Sequence, residues 1–411
     1  MQVYLVGGAV RDMLLGLEPK DKDYVVVGSS VEEMLSLGFK QVGKDFPVFL
    51  HPETGNEYAL ARTERSTGAG HHSFTVSVEH VPLEDDLHRR DLTINALAFD
   101  GSSGTYLGDL KGIADCKGKV LRHVAPAFAE DPLRILRLFR FAATLPGDWT
   151  IAEETLALVH QMVLEGAMRN LTKERVWKET EKALKGDKPW AYFDLLREHT
   201  NFFPMAKAMQ RTPQPPQHHP EGNVWVHTCL TMESVCKGGG SPEVVFAALC
   251  HDLGKPVAYS IYGNLHGHES IGLPVVDEVC ELFGVPKNYH RLALLVCEFH
   301  TKVHKCRELR PSKLHDLLVV LGAFNLQQQE QFINVLKACR ADARGRGKDH
   351  EHVLYEQMYY LSDAAQVASA VTGKHVPESY SGKAFGDKLR AMRIKQLKAF
   401  KQGRNRVTTY K

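Results

Sequence analysis

The 411-residue sequence predicts an α+β fold, in which a mixed head with a small sheet is followed by helical domains. Short β-branched runs separated by Gly and Pro turns fill the first part of the chain. From Leu83 onward the apolar residues recur with a helical period and strand signals nearly vanish. The segment Thr212–Pro220, rich in Pro, Gln and His, then interrupts every helical pattern and predicts a domain boundary. The predicted divisions are a head at 1–120, a helical neck and body at 121–210, a second helical domain at 211–350 and a basic helical tail at 351–411.

Composition narrows the class of protein. With 43% hydrophobic and 24% charged residues the chain is an ordinary globular protein. A net charge of +2 gives no global signature of nucleic-acid binding, so affinity for RNA has to come from local patches. We find no secretory signal pattern and no apolar run near the roughly 20 residues that a bilayer crossing needs. The eight cysteines form no C-x-x-C pair, which favours reduced thiols in a cytoplasmic protein without a membrane partner.

The first residues combine features suited to phosphates and a metal. The strand Val3–Val6 runs into a glycine pair and a helix, where backbone N–H groups approach an anion closely and Arg11 lies within reach of it. Asp21 and Asp23 follow at the entrance of a β-branched strand, and their spacing of two places both carboxylates on one face. Carboxylate oxygens of this kind suit Mg²⁺ bridged to substrate phosphates. Each feature alone is weak evidence for a phosphate and metal site, whereas their order along the chain is specific.

That order, with the motifs LVGGAVRD and DKD, resembles the nucleotidyltransferase superfamily that includes DNA polymerase beta, and its class II tRNA nucleotidyltransferases in particular. The resemblance implies a polymerase beta-like head in which Gly8 and Arg11 bind the triphosphate. It also implies that Asp21 and Asp23 hold the catalytic Mg²⁺. A third catalytic carboxylate is not fixed by the sequence, and Glu57 is only a candidate.

The stretch Leu83–Ala98 has an apolar stripe with charges on its other face, which by itself fits a solvated surface helix pair. Its letters RRDLTINA match the RRDxxxNA motif of the same family. The resemblance implies that Arg90 contacts the incoming triphosphate. It also implies that Asp91 and Asn95 select and hold the sugar.

A basic helix is predicted next. An acidic pair followed by proline makes a convincing helix start, and Arg134, Arg137 and Arg140 then follow at spacings of three on one broad face. This pattern alone is a capped amphipathic helix, but its beginning resembles the family's EDxxR base-reading motif. The resemblance implies that Asp131 and Arg134 form Watson–Crick-like hydrogen bonds with the incoming C or A. Arg137 and Arg140 are then assigned to the triphosphate or ribose.

Three other segments bear on RNA and nucleotide binding. The Ser-, Thr-, Gly- and His-rich stretch Glu64–Val81 predicts a mobile loop and is a candidate for switching specificity from C to A. The helix predicted at Thr172–Leu184 resembles the family's neck segment. The stretch Gly382–Arg406 alternates basic and apolar residues, which fits either a solvated helical tail or a clamp on the RNA backbone.

Beyond the linker the helices are unusually rich in histidine. The pattern His…His-Asp…Asp resembles the HD phosphohydrolase superfamily, in which four helices converge on a divalent metal. Carried over to this chain, the ligands are His227, His251, Asp252 and Asp342. Imidazole and carboxylate ligands suit Ni²⁺, Mn²⁺ or Co²⁺ better than Mg²⁺. The side chains expected to bind phosphate beside the metal are Lys255, His266 and His268.

Over nearly its whole length the chain resembles bacterial CCA-adding tRNA nucleotidyltransferases with a fused HD phosphohydrolase domain. The resemblance implies template-independent addition of CCA to the 3′ end of tRNA from CTP and ATP, by a monomer or a homodimer. For the HD domain it implies removal of 2′,3′-cyclic phosphate or 2′-phosphate groups. Two alternatives remain, a poly(A) polymerase of the same branch and an HD nucleotide hydrolase with an RNA-binding head.

Overall fold

The computed structural model describes residues 1–19, 21–42, 48–66, 74–77 and 81–408, without the side chains of 64–66, 74–77 and 404–408. The chain divides into two compact units. The first unit is Met1–Ala183 with Leu195–Phe202, and the second is Leu184–Asp194 with Phe203–Lys411. The predicted α+β class is confirmed, because a small sheet near the N-terminus is followed by helices. The finer division into four segments stays a prediction.

The strands are short and all lie in the first unit. They are β1 (Gln2–Val6), β2 (Asp23–Val27), β3 (Lys40–Gln41), β4 (Val48–Leu50), β5 (Glu57–Leu60), β6 (Thr63–Ser66), β7 (Phe74–Ser77), β8 (Leu97–Asp100), β9 (Thr105–Gly108), β10 (Val120–Leu121) and β11 (Thr150–Ile151). The helices up to the linker are α1 (Gly8–Leu14), α2 (Val31–Ser36), α3 (Leu83–His88), α4 (Leu110–Gly118), α5 (Leu133–Thr144), α6 (Glu153–Leu164), α7 (Lys173–Leu184), α8 (Pro189–His199) and α9 (Pro204–Arg211). Those after it are α10 (Val224–Lys237), α11 (Pro242–Cys250), α12 (Lys255–Tyr262), α13 (His268–Phe283), α14 (Lys287–His304), α15 (Pro311–Val320), α16 (Gln329–Arg344), α17 (Glu356–Ser369) and α18 (Gly382–Thr408).

A seven-stranded sheet organises the head, in the order β3-β4-β5-β2-β1-β8-β9. Strand β1 lies between β2 and β8 and is antiparallel to both, whereas β2 and β5 are parallel. Neighbouring residues of β2 point to opposite faces, so Val25 packs with Leu83 and Leu87 of α3 while Val26 packs with Met34 of α2. Helices on both faces therefore bury the strand that begins at Asp23.

The sequence analysis missed part of this sheet. Strands β8 and β9 lie beyond Leu83, in the region where strand signals nearly vanish, so the prediction of helical structure there was wrong. Strand β8 is only four residues long, and its first two residues, Leu97 and Ala98, are both fully buried. A strand covered on both faces has no alternation of polar and apolar residues to distinguish it from a helix.

Local helix boundaries also differ from those expected. The predicted helix pair at Leu83–Ala98 is a single helix, α3, followed by a 3-10 turn at Thr93–Asn95. Within the predicted loop Glu64–Val81, strands β6 and β7 form an antiparallel pair, while residues 67–73 and 78–80 lie outside the described residues.

In the part of the second unit that the structure describes, the elements are helices joined by loops, with one isolated β-bridge between Pro213 and Asn223. Helix α11, which is almost entirely buried, packs against α10, α14 and α16, and α13 packs against α14. The backbones of α12 and α13 approach closely, since a Cβ on Gly254 would lie 2.0 Å from the carbonyl oxygen of His268. The four helices α10, α11, α14 and α16 carry the histidine-rich face described below.

The predicted basic C-terminal helix is present as α18, and it packs against α15 and α17. Leu397 is fully buried, and Arg393 Nε donates to the carbonyl oxygen of Val371 at 3.1 Å. One side of the helix therefore packs on its neighbours while its other described side chains are exposed or half-buried, so the solvated tail and the RNA clamp both stay predictions. Within the described ranges, no helix is long and apolar enough to cross a membrane.

The approach of α4 to the sheet depends on a glycine. A Cβ on Gly112 would lie 2.6 Å from the carbonyl oxygen of Thr93 and 2.8 Å from a methyl carbon of Leu97. We expect Gly112→Ala to lower the free energy of unfolding by about 1–3 kcal/mol, because backbone has to move. Urea denaturation checks this. Gly118→Ala on the same helix, whose Cβ meets nothing closer than 3.6 Å, is the control and should change stability by less than about 1 kcal/mol. Equal stability of the two variants would contradict the packing argument.

Candidate active site and candidate metal centre

Two carboxylates stand at the start of β2. Asp23 is the first residue of the strand and Asp21 lies two residues before it, and both side chains are exposed. Partial desolvation raises the pKa of Asp23, the charge of Arg90 opposes the rise, and the like charge of Asp21 adds to it. The strand register places Glu57 of β5 directly beside Asp23 on the parallel neighbour. Three carboxylates thus share one end of the sheet.

The glycine pair lies where β1 ends and α1 begins. Gly7 has a φ of 70°, a conformation that glycine adopts without strain, and its N–H donates to the carbonyl oxygen of Leu97 at 3.1 Å. A Cβ on Gly7 would lie only 3.0 Å from a guanidinium nitrogen of Arg90. The Arg90 guanidinium therefore lies against Gly7, just before the first turn of α1, and a side chain at position 7 would displace it.

A buried polar network connects the glycine motif with the RRDxxxNA motif and α5. Arg11 donates to Asn95 Oδ1 at 2.8 Å, and Asn95 Nδ2 donates to Asp91 Oδ1 at 3.1 Å. Arg137 Nε donates to Asp91 Oδ2 at 2.7 Å. We call these four residues the Asp91 network. Burial alone would raise the pKa of Asp91, but the charge of Arg137 and the hydrogen bonds it receives lower the pKa to about 2.

Glu179 of α7 extends the network through two arginines of α5. Its carboxylate lies 3.7 Å from Arg137 and accepts a hydrogen bond of 2.5 Å from Arg140 Nε. The guanidinium of Arg140 also lies 4.0 Å from the centre of the Phe141 ring. Arg140 is almost completely buried by these contacts, so in this structure it supports α5 and α7.

Asp86 holds the two arginines of the RRD motif. Its fully buried carboxylate accepts hydrogen bonds from Arg89 at 2.7 Å and Arg90 at 3.1 Å, and a third from the backbone N–H of Arg62 at 3.3 Å. Burial alone would raise the pKa of Asp86, but the charges of Arg89 and Arg90 keep it below its ordinary value. The guanidinium of Arg90 is thereby fixed beside the glycine turn.

The predicted base-reading pair lies at the start of α5, with Asp131 just before the helix and Arg134 in its first turn. Asp131 Oδ1 accepts a hydrogen bond from the backbone N–H of Leu133, and Oδ2 accepts one of 2.7 Å from Arg175 of α7. Arg134 donates to two carbonyl oxygens, those of Ala127 at 2.8 Å and Arg89 at 2.6 Å. The two side chains are therefore ordered by the surrounding helices and by the RRD segment.

The structure brings most of the predicted head residues into one neighbourhood, although they come from distant parts of the sequence. Hydrogen bonds or ion pairs join Arg11, Asn95, Asp91 and Arg137 to one another. The sequence analysis missed the partner residues Asp86, Glu179 and Arg175. For Asp86 the spacings of three and four to the two arginines were a signal, whereas the other two partners are far away in sequence.

Four predicted residues of the second unit form a buried centre. We call them the histidine–aspartate centre: His227 of α10, His251 and Asp252 after α11, and Asp342 of α16. His227 Nε2 lies 3.1 Å from Asp342 Oδ1 and 3.9 Å from Asp252 Oδ2, and His251 Nε2 lies 3.0 Å from Asp252 Oδ2. The ring nitrogens of His227 and His251 and a carboxylate oxygen of Asp342 all lie within 4.8 Å of one another.

This centre has the donor set of a metal site. His251 Nδ1 faces the carbonyl oxygen of Ala248 at 2.7 Å, so Nδ1 carries the hydrogen and the lone pair of Nε2 points inward. Among the described residues, neither His251 Nε2 nor the two carboxylate oxygens of Asp252 has a partner in hydrogen-bonding geometry, although all three atoms are buried. Buried imidazole lone pairs and carboxylate oxygens that face one another are a donor set that fits a divalent cation.

Further residues orient these side chains from outside. Glu221 Oε1 lies 2.7 Å from His227 Nδ1 and 2.8 Å from His219 Nδ1. On the other side, His304 Nε2 lies 2.6 Å from Asp342 Oδ2, and the Tyr355 hydroxyl lies 2.8 Å from His304 Nδ1. Carboxylates and hydroxyls in such positions fix the tautomer of a histidine. Glu221 and Tyr355 were not identified from the sequence, because nothing in their local spacing indicates a role.

The three predicted phosphate-binding residues have different surroundings. Lys255 is buried, and its ammonium donates to Gln214 Oε1 at 2.7 Å and lies 2.6 Å from Asp252 Oδ2. His268 is also buried and faces Asp252 Oδ1 at 3.4 Å. His266 is exposed, and its backbone N–H donates to Asn264. Lys255 and His268 thus lie at the centre, whereas no contact of His266 with it is observed among the described residues.

Known proteins resemble this chain in sequence and in fold. A family model described as the poly A polymerase head domain matches residues 3–122, and one described as a probable RNA and SrmB-binding site of polymerase A matches 148–209. The multifunctional CCA protein of Acinetobacter baumannii strain SDF is 46% identical over 407 residues, 98% of this chain and 98% of that protein.

Two solved structures share the fold. The CCA-adding enzyme of Bacillus stearothermophilus in complex with CTP has a TM-score of 0.63 at 22% identity and covers 99% of this chain and 94% of its own. The CCA-adding enzyme of Thermotoga maritima complexed with tRNA has a TM-score of 0.60 at 22% identity. The match covers 96% of this chain and 87% of that enzyme. The likeness extends over the α+β head and the helices that follow it.

The lowered pKa of Asp91 predicts a pH dependence of stability. The pKa falls from 3.8 to about 2 in the folded chain, so the ionised carboxylate stabilises the fold above pH 3.8 and this contribution is lost as the pH falls toward 2. The whole contribution is about 2 kcal/mol, of which roughly half is lost by pH 3. In urea unfolding from pH 6 to pH 3, Asp91→Asn should show a shallower loss of stability than the wild type. The exposed-residue control Asp85→Asn should follow the wild type, and parallel curves for Asp91→Asn would contradict the assignment.

Proposed function

The chain belongs to the multifunctional CCA protein family, and we propose that it adds C, C and A to the 3′ end of tRNA from CTP and ATP and that its second unit hydrolyses phosphate esters. The single observation that best supports the transferase is the Asp91 network. It joins the glycine motif, the RRDxxxNA motif and the helix of the EDxxR motif. These motifs have to act on one nucleotide, and the network holds them together.

In the proposed transfer reaction, Asp21 and Asp23 hold Mg²⁺. When bound, Mg²⁺ supplies a Lewis acid that favours ionisation of the terminal 3′-hydroxyl and stabilises the pyrophosphate leaving group. Burial is the main cause of the raised pKa of Asp23 and the like charge of Asp21 adds to it, and a bound cation would favour the ionised form of both carboxylates. Glu57 is our candidate for a third ligand, because its strand register places it beside Asp23.

The triphosphate is bound, in this proposal, at the turn between β1 and α1. Gly8 offers a backbone that an anion can approach closely, and Arg11 and Arg90 supply the positive charge. Both guanidinium groups are already oriented, Arg11 by Asn95 and Arg90 by Asp86. Preorganised charges of this kind stabilise developing negative charge without reorganisation during the reaction.

Asp131 and Arg134 are proposed to read the base. A carboxylate accepts from the exocyclic amine that C and A share, and a guanidinium donates to ring acceptors, so the pair rejects G and U. Their present partners, Arg175 and two backbone carbonyls, would be exchanged for the base when the nucleotide binds. Recognition by side chains explains how a base is chosen without a nucleic-acid template.

The roles of the remaining predicted head residues follow from their contacts. Asn95 and Asp91 are proposed to hold the sugar, with Arg137 keeping Asp91 ionised beside it. Arg140 was predicted to contact the triphosphate or ribose, but its buried pair with Glu179 favours a supporting role. We therefore propose Arg137 as the member of this pair that is nearer to the nucleotide.

The second activity is assigned to the histidine–aspartate centre. His227, His251, Asp252 and Asp342 are proposed to hold Ni²⁺, Mn²⁺ or Co²⁺, which imidazole and carboxylate ligands favour over Mg²⁺. When bound, such an ion supplies a Lewis acid for hydrolysis of a phosphate ester. Glu221 keeps the hydrogen of His227 on Nδ1, so that Nε2 stays available as a ligand. We propose 2′,3′-cyclic phosphate and 2′-phosphate groups as substrates, as on damaged tRNA 3′ ends.

The partners follow from these activities. The basic helix α18 is proposed to contact the RNA backbone with the basic residues on its exposed side, a binding mode that weakens as salt rises. We expect the protein in the cytoplasm, where tRNA is processed. A monomer or a homodimer is compatible with both reactions, and the oligomeric state stays a prediction.

The transferase assignment is tested with a tRNA that ends in its discriminator base and with labelled CTP. We expect Asp21→Ala to reduce incorporation on the order of 10³-fold, because a metal ligand at the reacting phosphate is lost. Asp85→Ala, an exposed carboxylate on α3, is the matched control and should keep wild-type activity.

The same assay with all four nucleotides separates the transferase from its alternative. The match of residues 3–122 to a poly A polymerase head favours a poly(A) polymerase as the second candidate. Synthesis that stops after C, C and A supports our proposal. Unlimited addition of A, without C, would support the alternative and refute CCA addition.

The phosphohydrolase assignment is tested with a nucleoside 2′,3′-cyclic phosphate in the presence of Ni²⁺. We expect His251→Ala combined with Asp252→Ala to abolish hydrolysis, because two proposed ligands are removed. CTP incorporation by the same variant should persist, since its catalytic residues lie in the other unit, and this shows that the chain is folded. Hydrolysis retained by the double variant would refute the site.

A further inference from the structure

An arginine at the edge of the histidine–aspartate centre has no role in either proposed reaction. Arg346 follows the last residue of α16 by two positions, and its guanidinium Nη2 lies 3.9 Å from Asp342 Oδ1. The same oxygen of Asp342 lies 3.1 Å from His227 Nε2, so the guanidinium stands next to two proposed metal ligands. The Arg346 side chain is 29% exposed, which places its positive charge between the buried cluster and solvent.

The backbone after α16 fixes the position from which Arg346 extends. The N–H of Gly345 donates to the carbonyl oxygen of Ala341 at 2.8 Å, and the carbonyl oxygen of Gly345 lies 3.1 Å from His227 Nδ1. A Cβ on Gly345 would lie 2.5 Å from Thr231 Oγ1, so the chain passes very close to α10 at this point. Arg346 is thereby held beside the centre by contacts of its own neighbour.

The guanidinium of Arg346 has donors that the protein does not use. Its Nε is buried without a hydrogen-bonding partner among the described residues. The separation of 3.9 Å from Asp342 allows an ion pair but is too long for a hydrogen bond. A buried donor without an acceptor is costly, and a ligand that supplies acceptor oxygens removes this cost.

Lys255, another cation of the centre, is already paired within the protein. Its ammonium lies 2.6 Å from Asp252 Oδ2 and donates to Gln214 Oε1 at 2.7 Å. Lys255 therefore neutralises a carboxylate from a buried position, whereas Arg346 is partly exposed and has donors to spare. Of these two cations, Arg346 is the better placed to receive an anion from solvent.

A phosphate ester supplies the acceptors that Arg346 lacks. A guanidinium presents two N–H groups side by side, which match two phosphate oxygens in charge-assisted hydrogen bonds of about 2.7–2.9 Å. The carboxylates of Asp252 and Asp342 repel an anionic substrate, so a cation beside them lowers the cost of its approach. The position and the unused donors of Arg346 fit this requirement.

We propose that Arg346 binds the phosphate oxygens of the substrate at the histidine–aspartate centre and holds the ester beside the proposed metal ligands. This inference rests on the proposed phosphohydrolase function of the second unit and adds a substrate-binding residue to it. The sequence patterns predicted this role for His266, for which no contact with the centre is observed among the described residues.

Steady-state hydrolysis of a nucleoside 2′,3′-cyclic phosphate in the presence of Ni²⁺ tests the proposal. We expect Arg346→Ala to lower kcat/KM about 10²-fold, because charge-assisted hydrogen bonds to the phosphate are lost. Arg346→Lys should retain part of the activity, since it keeps the charge without the planar fork. Arg344→Ala is the matched control, because Arg344 Nε donates to the carbonyl oxygen of Val353 at an exposed position, and its kcat/KM should equal that of the wild type.

Three further measurements distinguish substrate binding from a structural role. Millimolar guanidinium ion should partly restore hydrolysis by Arg346→Ala, because it replaces the missing group. Inorganic phosphate, titrated by calorimetry into the nickel-loaded protein, should bind roughly tenfold more weakly to this variant than to the wild type. The nickel content measured by inductively coupled plasma mass spectrometry should be the same in both, since Arg346 is not a ligand.

The outcomes separate this inference from the function on which it rests. Wild-type kcat/KM in Arg346→Ala, or a lower value with unchanged phosphate affinity, would overturn the inference and leave the phosphohydrolase function intact. Loss of nickel from this variant would also overturn it, because Arg346 would then support the ligands and not the substrate. No hydrolysis by the wild type would refute the proposed function itself, and the inference with it.

Discussion

The first unit depends on one buried ionised carboxylate, that of Asp91. A charge away from water is costly unless it is paired and hydrogen-bonded, and Asp91 is stabilised by Arg137, Asn95 and the backbone N–H of Leu92. Arg137 is 46 positions away in the sequence, and Arg11, which orients Asn95, is 84 positions away from it. The hydrogen bonds around Asp91 and Asn95 are complete only when α1, the 3-10 turn after the RRD motif and α5 are all in place. The same folding step therefore assembles the phosphate-binding turn and the helix that reads the base.

The second unit uses the opposite arrangement. Lys255 lies 2.6 Å from Asp252 Oδ2, but imidazole nitrogens and carboxylates also converge here without an apolar or backbone group between them. Binding a cation to the folded state alone stabilises that state by mass action. The two units thus treat buried polar groups differently: Asp91 receives its hydrogen bonds from the protein itself, whereas Asp252 lies in a cluster that we propose to bind an ion.

Local patterns in the sequence were sufficient to predict the strand, glycine turn and helix at the N-terminus and the helices after the linker. The resemblance to HD phosphohydrolases named four histidines and aspartates, which the structure places close together. Local patterns failed for β8, because a short strand buried on both faces has no alternation. They also failed for Glu179 and Glu221, which act through contacts with residues that no periodicity connects to them. The paired role of Arg140 was missed for the same reason, since a basic helix face has the same pattern whether its charges meet solvent or a buried carboxylate.

The position of β1 between β2 and β8 has a consequence for synthesis of the chain on the ribosome. One edge of β1 pairs with β2 soon after it is made, but the other has to wait for Phe99, which pairs with Leu5 about ninety residues later. At about 5–20 residues per second this is a delay of roughly 5–20 seconds. During that interval the nascent head exposes the backbone donors and acceptors of one strand edge, which are a template for pairing with other chains. We expect chaperone contact during translation to be concentrated in this window, before β8 leaves the exit tunnel.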